Sequence, residues 1–118
     1  MPVITGVHAI LYTRDPEGLR AFFRDVLDLP SVDAGGGWLI FGLPPAELGI
    51  HPDDGPTRSE LYLLCDDIEA TMAALRAKGV EFTREVSQER WGLVTALRLP
   101  DGGELPVYQP SHPVAAGR

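Results

Sequence analysis

Apolar and polar positions fall into two similar successions along the chain. Val3 to Thr13 is β-branched and alternating, with His8, Ile10 and Tyr12 on one face and Val7, Ala9 and Leu11 on the other, which predicts a strand. Asp15 then offers a side-chain oxygen to the free amides of a helix start, Pro16 suits the first helical position, and Glu17 complements the dipole. Leu19, Phe22, Phe23, Val26 and Leu27 follow at helical spacing, and Leu29-Pro30 is expected to end that helix. Asp33 to Gly37 reads as a turn, Trp38 to Phe41 as a strand with a further short one near Val32, and Ala46 to His51 as another strand after Pro44-Pro45. Beyond a linker at 53–58 the pattern restarts. Glu60 to Cys65 predicts a strand. Asp66 or Asp67 caps a helix carrying Ile68, Met72 and Leu75 that stops at Gly79. Strands are expected at Val80 to Thr83, Leu93 to Leu99 and Glu104 to Gln109, the last two joined by an Asp101-Gly102-Gly103 turn, and 111–118 reads as a loose tail.

At 118 residues the chain suits one domain rather than two. Seventeen acidic against ten basic residues give a formal charge of -7, and no Lys/Arg run is long enough to follow a phosphate backbone, which argues against nucleic acid as a partner. No apolar run approaches the roughly twenty residues of a membrane span, and the N-terminus lacks the basic flank and apolar core of a signal peptide, so the expected location is the cytoplasm. The lone Cys65 forms no internal disulfide, in keeping with a reducing compartment.

Setting His8 against Glu60 places Asp15 against Asp67, a common offset of 52 residues, and Glu47 to Ile50 pairs with Glu104 to Val107 at an offset of 57. One half repeats the other, with a five-residue insertion in the second. Three segments carry a resemblance to a known family: Gly6-Val7-His8-Ala9-Ile10-Leu11-Tyr12-Thr13-Arg14-Asp15, Leu19-Arg20-Ala21-Phe22-Phe23-Arg24-Asp25-Val26-Leu27, and Leu99-Pro100-Asp101-Gly102-Gly103-Glu104-Leu105. The chain resembles the vicinal oxygen chelate superfamily, which includes glyoxalase I, extradiol dioxygenases and the fosfomycin and bleomycin resistance proteins. That resemblance implies an α+β fold of two tandem βαβββ modules, about 3–52 and 59–110. Their mixed sheet curves into an open cup with helices on its outer face. It also implies a homodimer, which would protect the strand edges of so small a chain.

The resemblance further implies four metal-ligand positions in the cup, which map here to His8, Gly49, Glu60 and Pro106. Two of these have no side-chain donor. His51 lies two residues beyond Gly49 on the same strand face, displaced by about 6.5 to 7 Å, and is the candidate third ligand beside His8 and Glu60 for a divalent Fe, Mn, Zn or Ni ion. The preferred reading has no cofactor: His8 and Glu60 form a hydrogen-bonded pair able to serve as general acid and base. Tyr12, Tyr62 and Tyr108 share strand faces with His8, Glu60 and Pro106, and with His51 they form candidate walls of the cup, which Trp38 and Trp91 close. Core packing explains these aromatic residues equally well. Gly35-Gly36-Gly37 lacks the Lys-Ser/Thr of a phosphate loop and reads as a turn, Cys65 reads as core, and His112 reads as a solvated tail residue. The expected partner is a small, partly apolar molecule, bound or turned over without metal. A metal-dependent lyase or dioxygenase is the alternative.

Overall fold

The computed structural model describes residues 8–47, 49–50, 52, 54–56, 59–113 and 115. Helix α1 spans Pro16–Ala21 and runs directly into a π-helical turn, Phe22–Val26. Asp15 caps it as its position predicts, accepting a hydrogen bond from the Gly18 amide at 3.0 Å. The regular structure stops at Val26 rather than at Leu29-Pro30. The Leu27 amide bonds to the Phe22 carbonyl at 3.2 Å, one residue farther back than in an α-helix, and Asp28 then adopts a left-handed φ of 56° that turns the chain away. Strands β1 (Ser31–Asp33) and β2 (Leu39–Phe41) form a small antiparallel sheet. In the turn between them Gly35, Gly36 and Gly37 all have positive φ, and Asp33 Oδ1 accepts hydrogen bonds from the Gly35 and Gly37 amides.

The second half runs β3 (Leu63–Leu64), α2 (Ile68–Ala77), β4 (Phe82–Glu89), β5 (Gly92–Arg98) and β6 (Glu104–Pro110). These strands form one open sheet in the order β3-β6-β5-β4, with β3 parallel to β6 and the other neighbours antiparallel. The fold is therefore the expected mixed α+β type. Asp67 is the cap of α2, accepting from the Ala70 amide at 3.1 Å. Asp15 and Asp67, 52 residues apart, thus perform the same task in the two halves.

Alternation along β6 turns Leu105 and Val107 to the helices and leaves Pro106 and Tyr108 on the opposite face. Leu19, Phe22 and Phe23 of the first half pack with Val80, Leu97, Leu99, Leu105 and Val107 of the second, so the first helix closes its core against the second half's sheet. Lys78 joins the halves at the surface, donating to the Val26 carbonyl and the Asp28 carboxylate at 2.9 Å each. Gln109 Oε1 accepts from the Ile68 amide at 2.8 Å, fixing the start of α2 against the end of β6.

Two expected strands differ. Residues 8–13 of the Val3 to Thr13 segment belong to no strand, and neither do the described residues of Ala46 to His51. Residues 3–7, Leu48 and His51 lie outside the described residues. Both segments carry alternating apolar residues but meet no partner strand, so Ile10, Tyr12 and Ile50 are 62%, 91% and 90% exposed. Glu60 to Cys65 is likewise shorter than expected, with only Leu63 and Leu64 in the ladder and the Cys65 amide adding one bond to the Tyr108 carbonyl. No described helix is long and apolar enough to cross a membrane.

Gly92 opens β5 where β6 passes closest. Its φ is 154°, and a Cβ there would lie 2.3 Å from the Gln109 carbonyl oxygen. Gly92→Ala is expected to cost about 1 to 3 kcal/mol, read as a lowered denaturation midpoint in urea.

Candidate ligand cup

The sheet face opposite the helices carries an aromatic cluster built from three separate segments. Tyr62 precedes β3, Tyr108 lies on β6, and Trp91 sits in the tight turn between β4 and β5. The Trp91 carbonyl accepts from the Ser111 amide at 3.0 Å. All three ring pairs meet edge to face: Trp91 and Tyr108 at 5.0 Å between centroids, Tyr62 and Tyr108 at 5.8 Å, and Tyr62 and Trp91 at 6.3 Å. That geometry matches the positive ring edge of one to the negative face of its neighbour, an attraction that favours this arrangement of the wall.

Beside the wall lies a cavity of about 180 Å³ lined by Tyr62, Arg84, Ser87, Glu89, Trp91 and Val94. Three of these come from β4, and two irregularities in that strand put them there. The register runs from Phe82 opposite Leu97 to Arg84 opposite Ala96 and then to Ser87 opposite Val94, so β4 twice spends one residue more than β5. Arg84 and Ser87, three residues apart, would face opposite ways in a regular strand. The extra residue brings both to the cup. Thr95 stabilises this path, its buried hydroxyl donating to the Arg84 carbonyl at 2.8 Å. Alternation places Ser87 and Glu89 on one face but Arg84 on the other; the run Thr83 to Glu89, polar except for Val86, in place of a shorter alternating strand is the available signal.

The tail is not solely solvated. Ser111 bonds back to the Trp91 and Arg90 carbonyls. The His112 Nε2 pairs with the Tyr108 hydroxyl, while its Nδ1 faces the Pro113 carbonyl at 2.8 Å. Since a carbonyl only accepts, His112 carries its proton on Nδ1 when neutral, and the Tyr108 hydroxyl donates to Nε2. Farther on, the Ala115 amide donates to Glu47 at 3.0 Å, tying the tail to the first half. Burial, then the charges of Glu47 and Tyr62, push the Tyr108 phenol up from its ordinary value. The folded state thus holds the proton more tightly than the unfolded one. The resulting stability is complete below about pH 10 and is lost as pH rises through the raised value. Tyr108→Phe should remove this alkaline dependence, measured by melting at a series of pH values.

The structure unites some expected site residues and separates others. Tyr62, Trp91 and Tyr108 come together. His8 and Glu60 are both exposed, and no hydrogen bond joins them, contrary to the expected pair. Tyr12 lies instead beside an open depression of about 570 Å³ with Thr13, Arg14, Asp101 and Gly103, where the Thr13 hydroxyl donates to Asp101. Trp38 does not close the cup; it is 64% exposed beneath the Arg20 guanidinium at 5.9 Å. His51 lies outside the described residues. Burial pushes the Cys65 thiol up, in keeping with a packing residue rather than a nucleophile.

Two of the four mapped ligand positions lack a donor, and the candidate third ligand His51 lies outside the described residues. Gly49 and Pro106 offer no side-chain ligand, and among the described residues no three His, Cys, Asp or Glu side chains gather.

An open mixed sheet with both helices packed on one face is the architecture expected of the class, and the match of the family model agrees with it. The chain belongs to the Glyoxalase/Bleomycin resistance protein/Dioxygenase superfamily, whose model matches residues 6–105. Among solved structures it is similar to TnmS3, an antibiotic binding protein from Streptomyces sp. CB03234, at 23% identity and a TM-score of 0.66, covering 94% of this chain and 100% of that one. It is also similar to a lactoylglutathione lyase from Agrobacterium tumefaciens, at 17% identity and a TM-score of 0.63, over 92% and 96% of the two chains. A superfamily member from Sphaerobacter thermophilus shows 22% identity and a TM-score of 0.61, over 92% and 99%. Among curated proteins, none matches.

Proposed function

We propose that this chain is a cytoplasmic small-molecule binding protein of its superfamily, holding a small, partly apolar ligand in the cup without a metal. The observation that carries this reading is the edge-to-face trio of Tyr62, Trp91 and Tyr108 beside a cavity with a few polar groups at its margin, the usual composition of a ligand site. The same fold occurs in an antibiotic binding protein and in a lactoylglutathione lyase, so it accommodates binding and turnover alike. His8 and Glu60, the candidate acid and base, stand exposed, so chemistry by that pair requires a rearrangement that brings them together. Thermal-shift screening of small aromatic compounds, with and without chelator, tests the reading. Stabilisation by the same compounds in both conditions is expected, and stoichiometric metal that a chelator removes would overturn it in favour of a metalloenzyme.

The working form in this proposal is a homodimer. Ile10, Tyr12 and Ile50 expose large apolar side chains, and a second copy would supply the strand partners that 8–13 and the described residues of 46–50 lack. Light scattering at micromolar concentration should give twice the 12.8 kDa chain mass. A monomer mass would contradict this assembly.

A further inference from the structure

Two opposite charges face one cavity without neutralising each other. Arg84 and Glu89 both line it from β4, yet no ion pair links them, and the Arg84 guanidinium makes no hydrogen bond or ion pair among the described residues. The ladder explains their separation. Arg84 stands opposite Ala96 and Glu89 opposite Gly92, four residues apart along β5 and therefore about 13 Å apart at the backbone. Glu89 is already oriented, accepting from the Ser87 hydroxyl. Tyr62 and Trp91 provide aromatic surface for the same cavity.

The cavity volume of about 180 Å³ is below the roughly 300 Å³ at which pockets for drug-sized ligands begin. It suits one or two rings. A guanidinium presents five donors and no acceptor, in a planar fork that matches a carboxylate, and a carboxylate such as Glu89 accepts only. We propose that the cup takes a flat one- or two-ring aromatic acid, its carboxylate on Arg84, its ring against Tyr62 and Trp91, and a hydroxyl or amino donor at its far end on Glu89. This assignment rests on the cup being the ligand site and adds the chemical class of the ligand. It also gives a reason for a basic residue at the margin of the cup in a chain with net charge -7, where a simple anion would otherwise be repelled.

Calorimetric titration of the full chain with 6-hydroxy-2-naphthoate, 2-naphthoate and the uncharged 2-naphthamide tests it. The expected order of affinity is hydroxynaphthoate, then naphthoate, then the amide, each step severalfold or more. Arg84→Gln should abolish the preference of both acids over the amide, and Glu89→Gln should remove the advantage of the hydroxyl while sparing 2-naphthoate. Neither side chain is in the core, so both variants should melt near the parent, which melting curves check. Equal binding of acid and amide by the parent would overturn the Arg84 assignment while leaving the cup as an aromatic site. Failure of all three compounds to bind would overturn the ligand class. If other aromatic compounds still stabilise the protein in thermal-shift screening, the binding reading survives that failure.

Discussion

Leu97→Ala is expected to destabilise the protein by about 2 to 5 kcal/mol, the range for deleting a large buried aliphatic side chain. Leu97 has no exposed surface and lies in the cluster that unites Leu19, Phe22 and Phe23 of the first half with Leu99, Leu105 and Val107 of the second. The void would sit between rigid β5 and the π-helical turn, with little freedom to collapse, which favours the upper part of the range. For a chain of this size each kcal/mol lowers the melting temperature by on the order of 4 °C. Thermal denaturation followed by circular dichroism measures the shift, and a fall of only one or two degrees would show that the halves do not share this core.

Trp91→Ala carries the second large effect, on binding rather than folding. Trp91 contacts both Tyr62 and Tyr108 and lines the cavity, while remaining 42% exposed. Its structural contribution to the tail is a backbone carbonyl, which alanine retains. Large aromatic anchors dominate binding energies, so affinity for 2-naphthoate should fall tenfold or more, equivalent to about 1.4 kcal/mol. Calorimetry on the parent and variant reads this directly, and Trp38→Ala, on an exposed surface residue outside the cavity lining, should leave affinity unchanged.

Local signals in the sequence translate well into structure where one chain supplies every partner. The caps at Asp15 and Asp67, the stripe Leu19, Phe22, Phe23 and the Asp101 turn depend on neighbours in sequence and on one core, and all appear as read. Alternation predicts strands at 3–13 and 46–51 as well, but a strand needs a second backbone to bond with, and the described residues of those segments find none. The same limit governs the site. Tyr62 and Tyr108 were legible as sharing one face because β3 and β6 pair in register. Arg84 was not legible beside Ser87 and Glu89, because the irregularity between Arg84 and Ser87 shifts the period of two by a residue at a position that composition does not mark. His112 escaped for another reason: its partner Tyr108 lies four residues back across the end of β6, a contact that depends on how the chain leaves the sheet.

Binding of a small molecule in the aromatic cup is decided by nuclear magnetic resonance titration of isotope-labelled protein with 2-naphthoate. Saturable shifts at Tyr62, Trp91 and Tyr108 and along Arg84 to Glu89, with Tyr12 and Asp101 unmoved, are the predicted result. Shifts centred instead on the depression beside Tyr12, Arg14 and Asp101, or no saturable shift at any residue, would contradict it.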